Sequence, residues 1–387
     1  MAIDKERRDE VLQAIEGSDL QALACFSASE VLLLTGYWPV MGWSFAIVTR
    51  DGQACAIVPE DELELAQSTS DVEFIPYRPA RLDRLTEPAG SLKDSIRRLY
   101  LRLQFSSGRI GVSLGQGAEA ASYPSGNLFR TSIIDLLQQE NSGIAVVAGD
   151  AIFDSLKSIK TSTEIDLIRH ACRLAAAGFD EATRSIAEGR REDEIAADVG
   201  AAFARVANRD FERSRGYFFC MSGPNSYKAS AAYARTRSRV VQDGDLVMIH
   251  ANTVGDGYWT DISRTYIVGK TSAEHQRMRN AILEARGAAM DAISPGVPAS
   301  RVDAAARDVL AGYGFGSAFK HATGHGVGFA AADPNALPRI HPHSPDVLKP
   351  GMAFNIEPAI YLEGIGGMRH CDVVACTTAG REVLTDF

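Results

Sequence analysis

Residues 245–269, DLVMIHANTVGDGYWTDISRTYIVG, place two apolar, β-rich runs on either side of a glycine-rich turn. Runs of this length joined so tightly pair as an antiparallel hairpin, so the fold must house one long, largely buried ribbon. Two ionisable residues interrupt the apolar runs, His250 in the first and Asp261 in the second. A turn centred on Gly255 and Asp256 sets His250 directly opposite Asp261, with Cβ atoms roughly 5 Å apart. At that spacing they form either a hydrogen-bonded pair or two ligands of one ion. A different turn register makes them diagonal neighbours instead.

The hairpin lies in the second of two expected domains. A chain of 387 residues exceeds one ordinary core. Residues 1–155 read as a small α/β domain. GWSFAIVTRDGQACAIVP is a hairpin signal around Asp51 and Gly52, and RIGVSL and GIAVVAGD are short buried strands. GVSLGQG lacks the spacing of a phosphate-binding loop and reads as a plain loop. Residues 156–387 begin with a helix. Thr161 and Glu164 form a capping box, and Ile165, Ile168, Cys172, Ala175 and Phe179 line one face, with His170 off that stripe. Helices then alternate with long hairpins to the end, which predicts an α+β domain with helices packed on a mostly antiparallel sheet.

Composition excludes several classes. The net charge of −9 argues against a general nucleic-acid binder, which needs a basic face. No apolar stretch approaches the ~18 residues of a membrane helix, and residues 1–20 are charged rather than signal-like. The six cysteines contain no CxxC pair, which is reduced, cytoplasmic usage.

None of the eight histidines precedes residue 170. Chemistry therefore gathers in the second domain, at HATGHGVGF (His321, His325), NIEPAIY (Glu357) and GGMRHCD (Arg369, His370, Cys371, Asp372). Each stretch is glycine-rich or strand-like, where backbone approaches a bound group closely. A fold rarely needs so many ionisable groups at strand ends for stability alone. Blander readings exist for single residues: Cys371 as a small buried hydrophobe, Arg369 as an ion-pair partner of Asp372, His341 and His343 as solvated loop residues.

Four segments in order, GDLVMIHANTVGDGYWTDISRTYIVG, HATGHGVG, LKPGMAFNIEPAIY and GGMRHCDVV, resemble the signatures of the pita-bread family of aminopeptidase P, prolidase, methionine aminopeptidase and creatinase. LLLTGYW resembles that family's N-terminal domain, and LKSIKTSTEIDLIRHA the start of its catalytic domain. The resemblance implies a pita-bread catalytic domain after a creatinase-type α/β domain, a small-molecule substrate and a homodimer. Its metallopeptidases hold two divalent ions with Asp, Asp, His, Glu and Glu. Carried onto this chain, the second Asp is Asp261, the His is His325 and the first Glu is Glu357. His250 stands for the first Asp and Cys371 for the last Glu.

These departures shape the functional expectation. Imidazole and thiolate still bind zinc or iron, but neither bridges two hard ions as a carboxylate does. The resemblance also implies a His after SGPN, where this chain has Tyr227, Lys228 and Ser230, and a His at Ala332, leaving only Asp333 nearby. His321 matches the family's substrate-contacting His. The expected activity is hydrolysis of a C–N bond in a small amide-like substrate, by one of two routes. Asp261, His325 and Glu357, with His250 or Cys371, hold an ion, zinc or iron in preference to manganese, with Glu357 or His321 handling the proton. Otherwise the site is metal-free and creatinase-like, with a histidine among His250, His321 and His325 as base. Arg369 borders either site. An Xaa-Pro metallopeptidase and a non-catalytic binding protein are the alternatives.

Overall fold

The computed structural model describes residues 4–83, 85, 88–114, 130–230, 235–331 and 333–387. Residues 115–117 of the GVSLGQG stretch and Ala332 lie outside the described residues. The chain divides into two compact units, Met1–Lys157 and Ser158–Phe387.

The first unit is built on strands β1 (Ala22–Cys25), β2 (Phe45–Thr49), β3 (Ala54–Pro59), β4 (Glu73–Tyr77), β5 (Gly108–Val112) and β6 (Ile144–Ala148). They form one mixed sheet in the order β4-β3-β2-β1-β5-β6. The expected hairpin is β2–β3, antiparallel from Phe45↔Ile57 to Val48↔Ala54. The two short runs RIGVSL and GIAVVAGD contain β5 and β6, which pair in parallel. Ala22, Ala24, Ile47, Ile57 and Ile110 are fully buried, so the near-continuous apolar runs reflect strands covered by side chains.

The second unit opens with helix Ser162–Ser185, started by the Thr161–Glu164 capping box; Ile168, Cys172, Ala175 and Phe179 are buried along it, with Ile165 half-buried. The sheets are antiparallel throughout the described pairings. Strands β7 (Ser214–Ser222), β8 (Leu246–Gly255) and β9 (Tyr258–Ile267) make one. Strands β10 (Ala353–Ile356), β13 (Asp372–Thr377) and β14 (Gly380–Val383) make a second, and β11 (Ala359–Leu362) pairs with β12 (Gly366–Arg369). Helices Ala273–Asp291 and Ala299–Gly312 pack Met278, Ile282, Val302 and Leu310 against Phe354, Ile356 and Ile360 in one apolar core.

The register of the opening hairpin differs from the sequence expectation. Its turn residues are Asp256 and Gly257, with φ of 46° and 94°. Positive φ at both central positions defines the tight hairpin turn that favours Asp-Gly. Gly255 therefore pairs with Tyr258, and His250 faces Ser263 rather than Asp261, which faces Asn252. His250 and Asp261 are diagonal neighbours on one face. Burial confirms that this ribbon is interior, since every residue of β8 is buried. Among the described residues, no helix is long and apolar enough to cross a membrane.

Candidate active site

The diagonal pair still meets. His250 Nε2 lies 2.9 Å from Asp261 Oδ1, because an imidazole spans the longer diagonal. The amide of Asn252 approaches the same nitrogen at 3.5 Å. Asp261 is 2% exposed, and His250, His325 and Glu357 are also buried, at 7–9%. Burial alone would push the Asp261 carboxyl up. The charge and hydrogen bond of His250, with His325 and Arg369, outweigh it and hold the group well below the usual carboxylate range.

His325 is set by backbone on both sides. Its N–H donates to Asn355 Oδ1 at 2.7 Å, and its Nδ1–H donates to the Gly326 carbonyl at 3.1 Å. A β-carbon at Gly324 would collide with the Asn355 carbonyl, so only glycine lets the loop approach β10 this closely. With Nδ1 carrying the proton, Nε2 presents a lone pair inward. Around it stand Asn355 Nδ2 at 3.3 Å, Asp261 Oδ2 at 3.7 Å and Glu357 Oε1 at 3.9 Å. Glu357 turns its other oxygen to Arg369 Nη1 at 3.6 Å. Burial raises the Glu357 carboxyl, Arg369 opposes that and Asp261 adds to it, and the outcome is upward.

Arg369 is 6% exposed and donates from Nε to Ser263 Oγ at 3.0 Å. It is not the partner of Asp372. That carboxylate, fully buried, binds Arg264, Arg286, His370 and Thr385 instead. Cys371 follows on the bridge Ser263↔Cys371. Its Sγ lies 3.1 Å from the Asp261 carbonyl oxygen, a contact that needs an S–H donor. Burial drives this thiol far up, helped by Asp261 and Glu357, so it is neutral. At the edge, His321 donates Nδ1–H to Ala322 O at 2.8 Å and accepts the Tyr361 hydroxyl on Nε2 at 3.0 Å. Burial lowers His321 to about 4 and raises Tyr361 to about 12, so both are neutral at neutral pH.

The structure thus gathers His250, Asp261, His325, Glu357 and Arg369, with Cys371 behind Asp261 and His321 beside Tyr361. His341 and His343 are exposed. Tyr227 receives Lys320 Nζ on its hydroxyl at 3.1 Å, and Lys228 is exposed. Sequence reasoning passed over Asn355, Ser263 and Tyr361. Asn355 had a signal: it lies two residues before Glu357 on the same strand path, hence on the same face. A groove of about 560 Å³ lined by Phe179, Arg264, Tyr266, Arg279, His370 and Phe387 includes Arg369 but none of His250, Asp261, His325 and Glu357, so the chemistry is not centred there.

Among the described residues, no three His, Cys, Asp or Glu side chains already stand at the spacing of an ion cage. Donors sharing one tetrahedral ion lie roughly 3.4 Å apart, from bonds of ~2.1 Å. The 3.7 and 3.9 Å gaps around His325 Nε2 exceed that by little, and a lone pair facing two carboxylates suits a cation between them. One divalent ion therefore fits Asp261, His325 and Glu357 by donor chemistry. Among the described residues, Asp261 and Glu357 are the carboxylates within 4.0 Å of His325 Nε2, and Glu357 also faces Arg369 Nη1 at 3.6 Å.

Residues 166–378 match the model of Metallopeptidase family M24. The sequence is 28% identical over 381 residues, 98% of each chain, to the Xaa-Pro dipeptidase of Pyrococcus furiosus. It is 35% identical over 243 residues to the probable dipeptidase PepE of Mycobacterium tuberculosis, spanning 62% of this chain and 61% of that protein. The crystal structure of the prolidase from Pyrococcus horikoshii OT3 matches with a TM-score of 0.78 at 25% identity, covering 99% of this chain and 98% of that one.

Proposed function

Because this chain belongs to metallopeptidase family M24, we propose that it hydrolyses the C–N bond of a short peptide, as its full-length relatives named Xaa-Pro dipeptidases suggest. Its second unit has the pita-bread fold, preceded in the chain by a smaller α/β unit. Similarity over 98% of both chains supports the Xaa-Pro reading over the unusual amide substrate expected from the sequence. The observation that carries a hydrolytic site is the inward lone pair of His325 Nε2 between two buried carboxylates.

Asp261, His325 and Glu357 would hold a divalent ion, which when bound lowers the pKa of water and polarises the scissile carbonyl. The protein's own groups do the rest. His250 binds Oδ1 of Asp261 and so leaves Oδ2 turned toward His325. Glu357, raised by burial, is a better proton acceptor than an exposed carboxylate. It takes the proton of the attacking water and gives it to the leaving nitrogen as the C–N bond breaks. Arg369 steadies Glu357 from the other side. His321, held neutral, borders the site with Tyr361 as a substrate contact.

One observation favours a metal-free variant: His250 and Asp261 at 2.9 Å form an oriented imidazole–carboxylate pair suited to general-base work. Dipeptide hydrolysis followed by chromatography, before and after chelation with metal content measured, separates these readings. Cleavage of Xaa-Pro dipeptides that stops on chelation and returns with a divalent metal is expected. Full activity at negligible metal supports the imidazole pair instead, and no cleavage of any dipeptide refutes the peptidase reading. The homodimer and the cytoplasmic location stay expectations; light scattering reads the first.

A further inference from the structure

Asp303 puts a carboxylate on the buried face of helix Ala299–Gly312, beside Val302, Ala306 and Leu310, and is 1% exposed. A buried charge persists where it is paired and hydrogen-bonded. Two residues supply the donors here. Arg307, one turn further along the helix, donates from Nε and from Nη2, both at 2.9 Å. Thr323 donates its backbone N–H at 3.1 Å and its hydroxyl at 2.8 Å. An ion pair within the helix accounts for Arg307. The bonds from Thr323 tie the same carboxylate to the loop that carries His321 and His325.

Each partner passes the constraint on. Nη2 of Arg307 also donates to the His321 carbonyl at 3.0 Å, and its guanidinium lies over the Phe319 ring, 4.4 Å from the centroid. That fixes the backbone on which His321 stands. The Thr323 carbonyl in turn accepts the N–H of Glu357 at 2.8 Å. This bond is the last rung of a short ladder. Asn355 N–H donates to the His325 carbonyl at 2.9 Å, and residue 358 is a proline with no N–H to extend the pairing. Asp303 is thus one residue removed from the substrate contact, through Arg307, and one from the proton carrier, through Thr323.

We propose that Asp303 is a positioning residue with two separable arms. Through Arg307 it sets His321, and with it substrate binding. Through Thr323 it sets Glu357, and with it the proton transfer. The inference rests on the reading of this site as one for short peptides, with those roles for His321 and Glu357.

Steady-state hydrolysis of L-alanyl-L-proline by the full chain, under the metal conditions that give full wild-type activity, separates the arms. Arg307→Lys keeps a charge beside Asp303 but loses the planar fork that reaches the His321 carbonyl as well. It should raise KM about 5-fold or more and leave kcat within about two-fold, the mark of lost uniform binding. Thr323→Val keeps the shape and the backbone N–H and loses the 2.8 Å hydroxyl bond. It should lower kcat about ten-fold, the worth of one hydrogen bond to a charged group, with KM within about two-fold. Thr323→Ser restores the hydroxyl and should restore kcat. A merely structural role shifts the urea midpoint of both variants without this split, and that result overturns the proposal. Should Thr323→Val fail to fold, Arg307→Lys decides alone: an unchanged KM, or a kcat that falls as far as KM rises, overturns it. Absence of dipeptide cleavage by the wild type refutes the peptidase reading and this inference with it, whereas cleavage without the split refutes the inference alone.

Discussion

Asp372→Asn removes the charge from a buried carboxylate that four side chains share in the second unit. The native group is fully buried. It accepts from Arg264 Nη2 at 2.8 Å, Thr385 Oγ1 at 2.7 Å and Arg286 Nε, with His370 Nε2 at 3.3 Å. Burial would raise its pKa; the hydrogen bond and charge of His370 with the two guanidiniums reverse that and hold it well below the usual range. A depressed folded pKa means stability fully present above the unfolded value near 3.8 and lost as pH falls through the folded one. Asparagine keeps the volume and one acceptor but leaves two arginines uncompensated. Breaking a buried pair costs about 3–5 kcal/mol. The lower end applies, since Arg264 retains the Cys371 and Phe387 carbonyls at 2.7 and 3.1 Å and Arg286 is 28% exposed. About 3 kcal/mol corresponds to a fall in Tm of roughly 6–12 °C for a unit of this size. Thermal melts followed by circular dichroism at pH 7 measure it, and the gap to wild type should narrow in strong acid. A fall of less than about 2 °C at pH 7 refutes the account of this cluster.

Two further outcomes follow from the site. Asp261→Asn keeps shape but withdraws charge from His250 and His325, so turnover should drop by about 10³-fold or more, with a folded circular dichroism spectrum and reduced metal retention; activity within ten-fold of wild type would remove Asp261 from the chemistry. His321, about 4 when folded against about 6.5 for a free imidazole, should make stability fall as pH drops from about 6.5 to about 4, because the unfolded chain takes up the proton first. Being half-buried at the mouth, it should account for about 2 kcal/mol, seen as a pH-dependent urea midpoint that His321→Asn flattens.

Much of the fold could be read before any coordinates because its signals are local. The Thr161–Glu164 box, the Asp51-Gly52 hairpin and the apolar stripe through Phe179 each depend on residues a few positions apart. The long hairpin was legible as a hairpin, yet its register slipped by one residue at the turn. Gly255 and Asp256 look like a turn pair, but Asp256 and Gly257 supply the two positive φ values, and that choice moved His250 from Asp261 to Ser263. The supporting layer was harder. Asn355 reaches His325 across thirty positions and Arg369 reaches Ser263 across 106, and no periodicity encodes such pairs. The partner of Arg369 was open in sequence because Asp372 lies three residues away. Distance along the chain favoured Asp372, whereas the strand path carries Arg369 to Glu357 and leaves Asp372 to Arg264 and Arg286.

The two residues that depart from the family pattern act together rather than as separate losses. A carboxylate at 250 would lie beside Asp261, and another at 371 would lie behind it, so each would need a cation to stay ionised. Imidazole and thiol remove that need. His250 becomes a donor to Asp261, and Cys371 becomes a neutral donor to the backbone of the same residue. Asp261 is then satisfied on its Oδ1 side by protein alone, and only its Oδ2 side, toward His325 and Glu357, still asks for a cation. The side of Asp261 toward His325 and Glu357 is thus the one where its charge is not already met by a donor from residue 250.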